Sequence, residues 1–182
     1  MRTIYLLLAG LFVAFALTGC VERYVEPTGP AVASVYLVSD LNNGGPPGTH
    51  MTKAGVYKDN AQCTGYQNIG EIADAGQSTP LTVKVVSGQP VTITLTGIST
   101  SVHGVTSACN APVTFLPMVG GQYEARFVDQ YPVSCMAIVK RRDSTGQYIP
   151  DPTTVHRVYQ ESLTGSTCQP LAIQDKIRLG IQ

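Results

Sequence analysis

Apolar and polar residues alternate with a period of two along much of the chain. The clearest case is residues 91–96, where Val91, Ile93 and Leu95 share one face and three threonines share the other. This alternation is typical of a strand with one face in a core and the other in water. Similar patterns predict strands at 34–38, 54–58, 68–72, 81–86, 113–116, 122–128, 133–139, 155–159 and 172–179. The helical period is not sustained anywhere, and residues 173–181 are the one candidate for a helix.

Turn and loop signals separate the predicted strands. Residues 41–50 contain Asn-Asn-Gly-Gly-Pro-Pro-Gly, a run that belongs neither to a helix nor to the interior of a sheet. Many short strands with regular turn signals predict an all-β domain, namely an antiparallel β-sandwich of the immunoglobulin or transthyretin kind. A small β-barrel is the alternative. The long loops at 41–50 and 143–154 are where a specific function would lie.

The N-terminus has the parts of a bacterial export signal. Arg2 provides a short positive region, and residues 4–17 are almost entirely apolar. That run is shorter than the roughly 20 residues that a membrane-spanning helix needs. It ends in Leu17-Thr18-Gly19-Cys20, which resembles the lipobox of bacterial lipoproteins. The resemblance implies cleavage after Gly19 and a lipid, with acyl chains such as palmitate, on Cys20.

The residues around Cys20 also bear on location and domain organisation. An Asp after the lipidated Cys resembles an inner-membrane retention signal, so Val21 in this place points to the outer membrane. An ordinary secreted protein with a chance Cys is the alternative. Residues 20–33 contain two prolines and no apolar period, which predicts an extended, mobile tether. We therefore predict a signal peptide at 1–19, a lipidated N-terminus and tether at 20–33, and one sandwich domain at 34–182.

Composition narrows the class of function. Lys plus Arg and Asp plus Glu number 12 each, so nothing suggests a nucleic-acid partner. Charged residues make up only 13%, while Gly and Pro number 18 and 12. Together with the abundant Thr, Ser and Val, this composition is typical of an exported β-rich protein with many turns.

Four cysteines besides Cys20 form an even set, and none of them is spaced Cys-x-x-Cys. In an oxidising compartment this set indicates two disulfides rather than a zinc or thioredoxin-like site. Three pairings are possible, and we favour Cys109–Cys135 with Cys63–Cys168. The first would join strands around one hairpin, and the second would tether the C-terminal tail to an early loop. Free buried thiols are the alternative.

The stretch from Cys109 to Val139 carries a second resemblance. Cys109 is followed by a predicted strand, Phe115-x-Pro117, a Gly-Gly turn, Tyr123, and a further strand pair containing Cys135. This order resembles small, poorly characterised bacterial lipoproteins with β-sandwich domains. It implies a disulfide between Cys109 and Cys135 and a tyrosine packed at a turn, and it implies nothing about activity.

Residues that could carry chemistry are scattered. His50, His103 and His156 lie in separate segments without metal-ligand spacing, and the first two are expected in exposed loops. No nucleophile elbow or phosphate-binding glycine loop is present. The acids considered for a carboxylate pair or calcium are Asp129, Asp143 and Asp151. Tyrosines at loop edges suit recognition of a partner or sugar, or else finish the edge of the core; they are Tyr57, Tyr66, Tyr123, Tyr131, Tyr148 and Tyr159.

These patterns predict a non-enzymatic lipoprotein of the bacterial envelope, with no cofactor, no metal and no catalytic residues. Its expected role is to dock onto another envelope protein as an accessory or assembly subunit. The first alternative is a stand-alone binding module for a small ligand, a glycan or a foreign enzyme that it inhibits. The second is a hydrolase whose site only the fold would assemble. A cleft lined with tyrosine would favour the binding module, and a flat apolar patch would favour docking.

Overall fold

Alternating inward side chains bring two β-sheets together over one apolar core. The computed structural model describes residues 21–40, 48–72, 81–130, 134–162 and 165–181. The elements in these ranges are β1 (Glu22–Arg23), β2 (Val32–Asp40), β3 (Gly48–Asp59), β4 (Thr64–Ile72), β5 (Leu81–Val86), β6 (Val91–Ser101), β7 (Thr106–Phe115), β8 (Gln122–Gln130), β9 (Ser134–Arg142), β10 (Tyr148–Pro150), β11 (Val155–His156), β12 (Tyr159–Ser162), β13 (Gly165–Cys168) and α1 (Ile173–Arg178).

The described strands form two open sheets and a separate hairpin. The six-stranded sheet has the order β1-β4-β3-β6-β7-β11, the five-stranded sheet has the order β10-β9-β8-β2-β5, and β12 pairs with β13. The prediction of an all-β sandwich is confirmed. The pairing is not purely antiparallel, because β2 runs parallel to β8 and β1 runs parallel to β4. The β7–β8 turn enters the five-stranded sheet at the end where β2 also begins, since Gly120 N–H donates to the Val32 carbonyl.

The core lies between the two sheets. Tyr123, Ala125 and Phe127 all point inward as the alternation predicts, and each is fully buried. Ile93 and Leu95 meet them from the six-stranded sheet. The tyrosine hydroxyl accepts a hydrogen bond from the Met118 N–H at 2.9 Å, so this side chain fixes the β7–β8 turn as well as filling the core.

The outer face of β6 differs from its prediction. Thr92 and Thr94 were expected in water, yet both are buried. Thr92 makes hydrogen bonds to Asn60 and Thr114, and Arg157 from the C-terminal part of the chain donates to the same Thr114 hydroxyl. The C-terminal part of the chain therefore covers the outer face of the six-stranded sheet, which a local pattern does not show.

The expected tether is part of the sandwich. β1 pairs with β4, and Tyr24 N–H donates to the Asn68 carbonyl at 2.8 Å. The Tyr24 hydroxyl donates to the Lys84 carbonyl, while the Glu26 carboxylate accepts the Lys84 N–H. These two side chains satisfy both backbone groups of one residue on the β5 edge, and burial raises the pKa of Tyr24 to about 12. Residues 22–26 thus contact both sheets instead of extending freely as the composition predicts, and β2 begins at Val32.

Two disulfides brace the fold, and they join the pairs favoured by the sequence. Cys63 in the β3–β4 turn bonds to Cys168 at the end of β13, which ties the C-terminal segment to an early loop as expected. Cys109 in β7 bonds to Cys135 in β9. These strands belong to different sheets, so the second bridge links the sheets across the core rather than the two strands of one hairpin.

Several boundaries differ from the sequence prediction. The loop at 41–50 lies partly outside the described residues, and its last three residues already belong to β3. The loop at 143–154 contains β10, which extends the five-stranded sheet. Residues 173–178 are helical, as the helix candidate at 173–181 predicts and the alternative strand at 172–179 does not. Asp175 lies in the first turn and Lys176 and Arg178 in the last, an order that suits the helix dipole.

Candidate functional site

The outer face of the five-stranded sheet carries partly exposed side chains along three adjacent strands. We call it the open face, and define it by the outward residues of three adjacent strands. They are Tyr36, Val38 and Asp40 on β2, Glu124, Arg126 and Val128 on β8, and Met136, Ile138 and Lys140 on β9. Tyr36 is 38% exposed and the others are half-buried, in contrast to the buried threonines on the other outer face.

An ion-pair network lies at the centre of the open face. The Arg126 guanidinium donates from Nη1 to Asp40 Oδ1 at 2.7 Å and from Nε to Glu124 Oε1 at 3.0 Å. Hydrogen bonds to Glu124 and to Asp40 raise the pKa of Arg126 above its usual value. Because two carboxylates hold this cation in one orientation, the centre of the face is ordered before any partner arrives.

Apolar side chains surround the network. In the strand register Arg126 lies between Val38 on β2 and Ile138 on β9. In the next rows Tyr36 lies beside Glu124, and Val128 lies beside Met136. Tyr, Met and Arg are the residues most enriched where protein surfaces meet. The alternation of apolar and polar residues predicts strands here but does not mark Tyr36 or Arg126 as functional, because neither stands in a motif.

The tyrosines named from the sequence do not form one cleft. Tyr57, Tyr66 and Tyr159 pack around the Cys63–Cys168 disulfide, and burial raises the pKa of Tyr57. Tyr123 is a core residue, Tyr148 is partly exposed on β10, and Tyr131 lies outside the described residues. For Tyr57, Tyr66, Tyr123 and Tyr159 the interpretation as structural residues is therefore the better one.

The histidines are separated in the fold as they are in the sequence. His103 is exposed in the β6–β7 turn and His156 is exposed on β11. His50 is not in a loop: it lies on β3, and its Nδ1 is 2.9 Å from Ser99 Oγ on β6. Within the described ranges no three His, Cys, Asp or Glu residues come together as metal ligands.

The acids have local structural partners. Asp143 accepts hydrogen bonds from Thr145 and from the Gln147 N–H, which lowers its pKa and holds the β9–β10 turn. Asp151 is buried and accepts hydrogen bonds from Thr153, whose hydroxyl accepts the Leu116 N–H. Asp129 lies on β8, opposite Cys135. These three acids do not form a common site: Asp143 and Asp151 accept hydrogen bonds from residues of their own turns, and Asp129 lies on a strand.

Two of the hollows on the surface of the described residues bear on ligand binding. The larger, of about 480 Å³, is wide open and is lined by backbone and polar side chains of the β7–β8 and β9–β10 turns, from Gly120 to Gln122 and from Arg142 to Gly146. The smaller, of about 200 Å³, is lined by Asn60, Ala61, Gln89, Pro90, Thr114, Leu171 and Ile181. Neither lining includes a tyrosine, so neither is the cleft that would favour recognition of a sugar.

No protein-family model, curated protein or solved structure matches the chain. Within the described residues, no helix has the length and apolar character needed to cross a membrane. Cys20 and the export signal lie outside the described residues, so the lipid attachment stays a prediction from sequence.

Proposed function

We propose that the chain is a lipoprotein of the bacterial envelope, anchored by acyl chains on Cys20, and that its sandwich docks through the open face onto another envelope protein. The observation that carries the proposal is that the predicted cleavage site and lipidated cysteine come immediately before the first strand of the fold. The lipobox ends at Cys20, and β1 begins two residues later. Cleavage after Gly19 would leave every described element intact, including Tyr24 in the core.

The character of the open face supports docking over catalysis. It offers an apolar surround, one exposed tyrosine and an arginine held by two carboxylates. A partner that covers this surface would bury a cation that is already paired, which avoids the larger cost of burying an unpaired charge. The two disulfides suit an envelope compartment, where oxidation is sustained. We place the protein at the outer membrane, facing the periplasm or the cell surface.

Replacing Cys20 tests the anchor. We expect Cys20→Ser to give a longer chain that retains residues 1–19 and carries no acyl chains, because serine lacks the thiolate that accepts the lipid. The measurement is the intact mass of the protein together with its partition into detergent. Thr18→Ser keeps a small residue in the box and should be processed normally. A Cys20→Ser protein that is still cleaved and still partitions with detergent would contradict the proposal.

Replacing Tyr36 tests the docking face. The tagged, lipidated protein is crosslinked mildly in its own membranes, extracted, and its stoichiometric partners identified by mass spectrometry. We expect Tyr36→Glu to lose the partner, because it puts an unpaired charge into the apolar surround of Arg126. Val102→Glu, an exposed change in the β6–β7 turn, should keep it.

Two results would count against docking through the open face. Retention of the partner by Tyr36→Glu, with unfolding unchanged, would move the interface elsewhere. Recovery of the wild-type protein alone would instead favour a stand-alone binding module.

A further inference from the structure

The chain enters the sandwich without a spacer after Cys20. Glu22 pairs with Gln67 in the register of β1 and β4, and its carboxylate lies 2.6 Å from Lys58 Nζ. Val21 is therefore held at the edge of the six-stranded sheet. The Cα of Cys20 is about 3.8 Å further on, as for any trans peptide. A lipid on Cys20 would thus be held close to one fixed part of the fold.

That part is one end of the sandwich. Lys58 lies next to the β3–β4 turn, and Asn60 in this turn donates to the Pro90 carbonyl in the β5–β6 turn at 2.8 Å. Gly88 N–H in the β5–β6 turn donates to the Pro117 carbonyl in the β7–β8 turn, also at 2.8 Å. We call these three connected turns, residues 60–63, 87–90 and 116–121, the anchor end.

The anchor end presents apolar side chains to its surroundings. Met118 and Val119 in the β7–β8 turn are both more than half exposed. Ile173 and Ile177 are exposed one turn apart on α1, and residues on both sides of that helix line the smaller hollow together with turn residues of the anchor end. Exposed valine, methionine and isoleucine are the side chains that gain from contact with the interfacial region of a bilayer.

We propose that the anchor end rests on the lipid surface, with Met118 and Val119 in the interface beside the acyl chains of Cys20. The inference rests on the proposed lipidation. The occupant is a bilayer because the chain would place acyl chains at this end, whereas the exposed valines of the β6–β7 turn, Val102 and Val105, lie at the opposite end. The strands then stand upright on the membrane, and the open face is presented sideways to a partner on the same membrane.

The β6–β7 turn, at the opposite end of the sandwich from the anchor end, offers a matched control position. β6 runs from the anchor end to the β6–β7 turn and has 11 residues, so that turn lies about 34 Å away. Val102 in this turn is 70% exposed and Val119 is 67% exposed. The two valines are thus equally accessible, and they differ in distance from the lipid attachment.

Depth-dependent quenching tests the orientation. Val119→Cys and Val102→Cys are made in the full chain, purified in lipidated form without reductant, and labelled with an environment-sensitive fluorophore. Each is reconstituted into phosphatidylethanolamine–phosphatidylglycerol vesicles containing a lipid with a nitroxide near the headgroup. We expect at least about twofold quenching and a blue shift at position 119, and neither at position 102, since interfacial groups lie within several ångströms of the acyl boundary.

The outcomes separate this inference from the proposed function. The intact mass of each labelled protein shows whether Cys20 carries acyl chains. Acylated protein with equal quenching at the two positions, or stronger quenching at position 102, would overturn the orientation and leave the lipoprotein proposal standing. Protein without acyl chains would overturn both.

Discussion

Removing the Cys63–Cys168 disulfide should lower the free energy of unfolding by about 5 kcal/mol, which for a domain of this size is a large part of the total. The two cysteines are 105 residues apart, so the bridge removes much of the conformational entropy of the unfolded chain. Cys109 and Cys135 are 26 residues apart, and the same relation gives about 3.5 kcal/mol. The first pair is also buried in its own cluster with Tyr57, so its loss opens a packed site as well.

The comparison uses two double variants, Cys63→Ala with Cys168→Ala and Cys109→Ala with Cys135→Ala. Each leaves the other bridge intact, and each is unfolded in urea without reductant beside the parent protein. A larger loss for the Cys109–Cys135 pair would show that the link between the two sheets outweighs chain entropy. Equal and small losses would show that packing alone holds the C-terminal segment.

The sequence was sufficient where the cause of structure is local. Alternation predicted the inward set Tyr123, Ala125 and Phe127, and turn residues predicted the β7–β8 turn. The strand predicted at 91–96 is shorter than the strand observed. In the structure β6 continues to Ser101, and Gly97 is where the Phe127 ring crosses it: a Cβ there would lie 2.5 Å from Phe127 Cζ. The glycine is a requirement of packing that only the opposite sheet explains.

Errors arose where distant segments meet. Thr92 and Thr94 alternate with apolar residues, a pattern typical of a strand face exposed to water. In the structure both are buried, because the C-terminal part of the chain covers them. The segment at 20–33 has the composition of a linker, but Tyr24 and Glu26 find partners on the edge of β5. The candidate site shows the same limit, because Tyr36 and Arg126 become neighbours of one surface only through the parallel pairing of β2 with β8.

These errors have a common structural basis. The C-terminal part of the chain covers the six-stranded sheet and the N-terminal segment caps the edge of the five-stranded sheet, while the outward residues of that sheet stay half-exposed. The proposed division of labour follows from this arrangement. In the proposed arrangement one end would carry the lipid, one outer face is covered for stability, and the other face would be left for a partner.

Arg157 holds the covering segment in place, and its replacement should be strongly destabilising for a single substitution. Arg157 is only 7% exposed as a whole residue, and burial lowers the pKa of its guanidinium. Nη1 donates to the Asn60 carbonyl at 2.8 Å, and Nη2 donates to the carbonyls of Ala61 at 2.7 Å and Gln169 at 2.8 Å. One guanidinium thus joins the β3–β4 turn to the segment after Cys168, a role that no sequence motif marks.

We expect Arg157→Met to lower the free energy of unfolding by about 3 kcal/mol, because it leaves three part-buried carbonyl oxygens and the buried Thr114 hydroxyl without their donor. Arg157→Lys should recover only part of this loss, since an ammonium cannot reproduce the planar fork. The measurement is urea unfolding with both disulfides intact, together with hydrogen exchange at the Cys168 N–H, which donates to the Gln62 carbonyl at 2.8 Å.

Arg178→Met is the matched control for Arg157→Met. The Arg178 side chain is half-exposed, with a 3.2 Å hydrogen bond to the Thr154 carbonyl and an ion pair to Asp175 at 3.8 Å. Exposed contacts of this kind contribute at most about 1 kcal/mol, so the control should stay close to the parent protein in both measurements. If the two variants lower the free energy of unfolding equally and leave hydrogen exchange at the Cys168 N–H unchanged, the hydrogen bonds of Arg157 do not hold the C-terminal segment. The C-terminal segment is then held by its disulfide and by packing alone.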